Sequence, residues 1–217
     1  MCATKIRMMG MLLATTVMVG AAKADMYGFY NITGNSATNA AIGEAQLRVD
    51  VSDLGGGQVY FEFMNLGPLA SSITDVYFDD SNNDSNPLAS LASITNGSGV
   101  SFSNGASPSN LPGGNTIVPA FSANFDLDSN APTSSNGVNP NETLGLTFNV
   151  ANGVTFGDLI DELDAATLRI GIHVQAFANG GSEAFVNDVK PVPAPGALLL
   201  GLTGVGLVTR MRKRLAV

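Results

Sequence analysis

The stretch QLRVDVSDLGGGQVYFEFMN, residues 46–65, alternates apolar and polar residues on both sides of a glycine run. Leu47, Val49 and Val51 fall on one face of the first arm, with Arg48 and Asp50 on the other. Val59, Phe61 and Phe63 do the same in the second arm, opposite Tyr60 and Glu62. Period-two alternation is the pattern of a half-buried strand. The intervening Asp53-Leu54-Gly55-Gly56-Gly57 is a turn, so the stretch reads as a β-hairpin.

The pattern recurs outward from this hairpin. Residues 168–177 place Leu168, Ile170, Ile172, Val174 and Ala176 on one face and Arg169, His173, Gln175 and Phe177 on the other. Shorter strand candidates lie at 27–33, 73–78, 99–103, 120–127 and 144–150. One helix is expected over Phe156–Asp164, where Thr155 and Asp158 form a capping box ahead of Leu159, Ile160 and Leu163. The connections at 81–87, 104–115 and 129–141 are rich in Asn, Ser, Gly and Pro, residues that form turns. Short strands separated by such loops predict an all-β fold, mainly an antiparallel β-sandwich, with one short helix.

Charge divides the chain into three parts. All 18 acidic residues lie between Asp25 and Asp188, where Arg48 and Arg169 are the only cations; Lys190 follows immediately. Residues 25–190 thus set three basic residues against 18 acidic ones, a balance of −15. Such a surface repels phosphate backbones and argues against nucleic acid as a partner. The single cysteine, Cys2, leaves this segment without thiol chemistry or a disulfide.

The N-terminus has basic residues at Lys5 and Arg7, an apolar run over 8–22, and Ala22-Lys23-Ala24 before Asp25. This is the composition of a signal peptide spanning 1–24, with cleavage expected between Ala24 and Asp25. At the other end, Val192-Pro193-Ala194-Pro195-Gly196 precedes an uncharged apolar run to Val208, followed by Arg210, Arg212, Lys213 and Arg214. The run is short for a membrane span but is expected to form a C-terminal transmembrane helix that holds the chain in the membrane before processing, and the basic cluster after it is expected to stay cytoplasmic. Motif, apolar segment and basic cluster together resemble the PEP-CTERM sorting signal over residues 191–217. Ala194 stands where the commonest form of that motif has Glu. The resemblance implies recognition by an exosortase, a membrane-bound cysteine transpeptidase that removes the tail, in bacteria with an outer membrane and an exopolysaccharide. The expected path is an inner-membrane intermediate, then the cell surface or extracellular matrix.

Chemistry within 25–190 is sparse. His173 is the only histidine, with no thiol or second histidine to complete a zinc site or a nucleophilic constellation. Asp80, Asn82 and Asp84 form a D-x-N-x-D pattern that can converge oxygen ligands on calcium. It is not an EF-hand, because Ser85 and Leu91 replace the turn glycine and the final glutamate. Tyr27, Tyr30, Tyr60 and Tyr77 are the tyrosines available for stacking on sugars, and tryptophan is absent. The expectation is a non-enzymatic structural or interaction protein of the surface or exopolysaccharide matrix. The alternative is an extracellular glycan-binding module, with calcium as a possible cofactor.

Overall fold

A computed structural model describes residues 24–80 and 86–192. The elements run β1 (Ala24–Asn31), α1 (Ala37–Gln46), β2 (Leu47–Gly55), β3 (Gln58–Asn65), β4 (Ser72–Asp79), β5 (Leu88–Asn96) and β6 (Phe102–Asn104). They continue with β7 (Phe125–Ser129), α2 (Thr133–Asn136), β8 (Thr143–Val150), α3 (Phe156–Asp164), β9 (Arg169–Gln175) and β10 (Glu183–Val192).

The hairpin forms as its alternation requires. Val49 pairs with Phe63 and Val51 with Phe61, and all four are buried. The turn is built on Gly55, Gly56 and Gly57, with φ of 72°, 63° and 77°, a region that costs glycine little. The Asp53 carboxylate accepts from the Gly55 amide at 2.8 Å.

The all-β, antiparallel character is as expected, but the layering is not. The strands form one ten-stranded sheet in the order β5-β8-β3-β2-β1-β10-β9-β4-β7-β6, where two stacked sheets were expected. The difference arises at β1, which pairs with β2 on one side and β10 on the other. That bonds the two halves into one surface. The sheet curls until its walls face each other across an aromatic core. Phe78 of β4 lies 5.0 Å from Phe61 of β3 and 4.8 Å from Phe148 of β8, centroid to centroid. Phe125 of β7 meets Phe148 at 5.1 Å. Edge-to-face aromatic pairs of this kind add to simple area burial. Edge strands β5 and β6 nearly close the sheet, and the Phe102 amide donates to the Asn96 side chain across the seam at 2.8 Å.

Among the described residues three α-helices occur, where one was expected in this segment. The capping box forms on α3: the Asp158 amide donates to the Thr155 hydroxyl, and the Thr155 amide donates to the Asp158 carboxylate at 2.8 Å. In α1, by contrast, the sequence ATNAAIGEAQ has no apolar stripe. The helix begins at the Ser36 cap and lies on the sheet through Gly43. A β-carbon at Gly43 would lie 2.2 Å from the Phe185 ring, so the helix sits on that ring because the side chain is missing. α2 is a four-residue turn of helix.

Alternation in β9 holds through Val174 and then breaks. Ala176 adopts φ 56°, which ends the strand and turns Phe177 into the core, contrary to its expected outward position. Strands β5 and β10 were not anticipated. β5 is largely exposed and is interrupted by irregular register against β8, so period-two patterning is weak there.

Candidate functional site

The outer face of β4, β9 and β10 is covered by residues 105–124. On β9, Gly171 leaves room for that cover: a β-carbon there would lie 2.8 Å from Leu111 and 3.0 Å from Phe121. Leu111 and Phe121 form a second core with Tyr77, Ala184 and Val186. Arg169 pins the segment. Its guanidinium donates to the carbonyls of Pro119 at 2.7 Å and Ala120 at 2.9 Å, forms a short ion pair with the Asp79 carboxylate, and stacks 5.2 Å from the centre of Phe121. Asp79 also accepts from the Ser122 amide at 3.0 Å, and the Tyr77 hydroxyl donates to the Pro108 carbonyl at 3.0 Å. Arg169 is buried, so its charge is committed to this contact.

Further along the same face, His173, Asp75 and Asp128 stand on three adjacent strands. Asp75 is in register with both His173 and Asp128. The His173 Nδ1 lies 2.9 Å from the Asp75 carboxylate, which also accepts from the Thr74 hydroxyl at 2.8 Å. Burial, and then the negative charge of Asp75, raise the Asp128 carboxyl above its ordinary range. The row sets the His173–Asp75 pair beside a second carboxylate, Asp128, across β9, β4 and β7. Sequence reasoning found His173 but missed its carboxylate partner Asp75, which is 98 residues away in sequence.

Glu183 is a second position that sequence reasoning left without a role. It is buried at the start of β10 and gathers the segment before α1. Its carboxylate accepts from Asn31 Nδ2 at 3.0 Å, the Thr33 hydroxyl at 2.5 Å, and the amides of Asn35 at 3.1 Å and Ser36 at 2.5 Å. Burial opposes its charge, but the donors outweigh burial and hold the carboxyl below its usual range.

The tyrosines are mostly committed to the fold. Tyr27 and Tyr77 are buried, and the Tyr27 hydroxyl donates to Asp164 at 3.0 Å. Tyr60 packs over Gly145, where a β-carbon would meet its hydroxyl at 2.0 Å. Only Tyr30 has substantial exposure, at 40%.

No family model, curated protein or solved structure matches this chain. The site must therefore be read from its own residues. Of the expected signal junction, Ala24 and Asp25 are described and open β1, paired with Ser52 and Val51 of β2. Ala22 lies outside the described residues. Of the expected sorting motif, Val192 is the last residue of β10 and pairs with Met26 of β1. Pro193, Ala194, Pro195 and Gly196 lie outside the described residues, as do Arg210, Arg212, Lys213 and Arg214. Among the described residues no helix is long and apolar enough to cross a membrane. For the expected calcium ligands, Asp80 is described and buried, whereas Asn82 and Asp84 lie outside the described residues.

Proposed function

We propose that this chain is an exported surface or exopolysaccharide-matrix protein of structural or interaction type, carried out by a signal peptide at 1–24 and sorted by an exosortase through residues 191–217. The observation that carries this reading is the pairing of Met26 with Val192. The chain enters and leaves the sheet on neighbouring strands at one end. A domain arranged in this way can be held by both ends while it folds, with neither end threaded through the core. Cleavage after Ala24 leaves Asp25 paired with Val51, and removal of the tail beyond Val192 leaves all of β10 in the sheet. The acidic surface, −15 over residues 25–190, suits a soluble protein outside the cell and supports partners that are cationic or neutral.

The test follows the exported protein from the producing cell. N-terminal sequencing is expected to begin at Asp25. Replacing Arg210, Arg212, Lys213 and Arg214 together with Ser is expected to disturb tail orientation and reduce processed protein outside the cell. Undiminished release of processed protein from that variant would overturn the sorting reading. Retention of residues 1–24 in the exported form would overturn the signal-peptide reading.

A further inference from the structure

The ten-stranded sheet ends on β5. This strand bonds to β8 on one side and, among the described residues, to no strand on the other. β6 approaches it at Asn96, the last residue of β5, but β6 is short and pairs with β7. Along the rest of the edge Ala89, Ser90, Ala92, Ser93 and Thr95 are exposed. Two bulges leave Ala89 and Ala92 without a partner on β8. An open sheet edge presents unpaired amides and carbonyls to any strand that can reach it, and proteins blunt such edges with charge, proline, bulges or a cover. β5 has the bulges, but Leu88-Ala-Ser-Leu-Ala-Ser-Ile-Thr-Asn96 holds neither a charged residue nor a proline.

The neutrality extends beyond this strand. No Asp, Glu, Lys or Arg occurs from Ser85 to Phe125, nor in β8, the strand behind β5. Residues 25–190 as a whole carry a balance of −15. Two copies of the chain therefore repel across their acidic faces, and the β5–β8 flank is where they can meet without setting like charges together. We propose that β5 pairs antiparallel with β5 of a second copy, joining the two sheets edge to edge about a twofold axis. Main-chain hydrogen bonds supply the attraction, as in strand addition generally. An isologous contact sets the same uncharged edge on both sides. A basic partner would be drawn to the acidic faces instead, and a glycan has no strand-spaced row of amides to offer. The bulges interrupt regular pairing, so the contact is that of a reversible dimer. The inference concerns the folded domain alone and does not rest on the sorting reading.

The test uses the full chain in detergent. Sedimentation velocity at rising protein concentration is expected to show a monomer–dimer equilibrium, and added sodium chloride is expected to strengthen the dimer by screening the remaining repulsion. Ala92→Asp sets like charges on the two facing edges and is expected to weaken the dimer roughly tenfold or more. Ala92 is exposed, and melting of the dilute variant shows that it folds. In a Cys2→Ser background, Ser90→Cys, Ala92→Cys and Ser93→Cys are made singly. The one nearest the twofold axis is expected to give an interchain disulfide on oxidation, while Leu54→Cys, 54% exposed near the end of β2, gives none. A parent that stays monomeric up to about 100 μM would overturn the proposal, since even small transient interfaces are populated there. So would a dimer unchanged in folded Ala92→Asp, or disulfides that form no more readily on β5 than at Leu54→Cys. Those last two results would place the contact elsewhere on the chain.

Discussion

Glu183 shows how much a single side chain can organise. Its carboxylate answers two side chains and two amides in the 31–36 segment, including the amide of Ser36, the cap of α1. Hydrogen bonds to a charged group are stronger than neutral ones. Glu183→Gln is therefore expected to lower stability by about 2 kcal/mol, measured by denaturant unfolding near neutral pH. The pH dependence has a definite sign. Because the folded carboxyl sits below its ordinary range, its contribution is complete above the unfolded glutamate value of about 4.3 and is lost as pH falls through the lower folded value. The difference between parent and variant should narrow on acidification through that window. A constant gap would show that the charge is not the source. Asp128 is shifted the other way by burial and by Asp75; its effect on stability is favourable at low pH and is lost as pH rises through its raised folded value.

At the scale of elements, α1 and the 105–124 cover are both fitted to the sheet by missing side chains. Gly43 admits the Phe185 ring to the face of α1, and Gly171 admits Leu111 and Phe121 to the face of β9. Helix propensity alone favours Gly43→Ala by about 1 kcal/mol. Packing reverses that sign. The added methyl would overlap a fully buried aromatic ring, and overpacking of this kind costs about 1–3 kcal/mol. Gly43→Ala is thus expected to lower the melting temperature, and a rise would mean that α1 does not rest on Phe185. The cover over β9 depends in addition on Arg169. Its guanidinium links a buried carboxylate to two loop carbonyls, so the segment is ordered by side-chain contacts and not by strand pairing.

Across the whole molecule, tertiary contacts leave the negative charge largely unbalanced. Arg169 is spent on Asp79, and Arg48 donates to the carbonyls of Glu44, Ala45 and Leu47. Like charges face each other even within the sheet. Asp50 lies in register with Glu62, and its carboxyl is raised by burial and then by Glu62 and Asp25. A balance of −15 over residues 25–190 disfavours the compact state through self-repulsion. Salt screens exposed charges over a Debye length of about 10 Å at 0.1 M. Raising sodium chloride from about 20 mM to about 500 mM is expected to raise the melting temperature by about 3 °C, which corresponds to about 1 kcal/mol in a domain of this size. A fall would mean that attractive ion pairs outweigh the repulsion.

Local pattern determined several features. The 46–65 hairpin, the bounds of α3 and its capping box follow from neighbouring residues, because a period or a cap is complete within a few positions. The strand core of β9 was legible for the same reason, up to the left-handed Ala176 that a period cannot foresee. The charge division and the composition of both chain ends were likewise open to reading. Tertiary structure decided whether the strands form one sheet or two, because that depends on β1 meeting β10, more than 150 residues away. It also decided the fate of acidic residues that look alike in sequence. Asp79 gained an arginine, Asp75 a histidine and Glu183 four donors, while Asp80 was left with a bare oxygen. Charge type is a local property, but its partner and its access to water are set only when distant strands close around it.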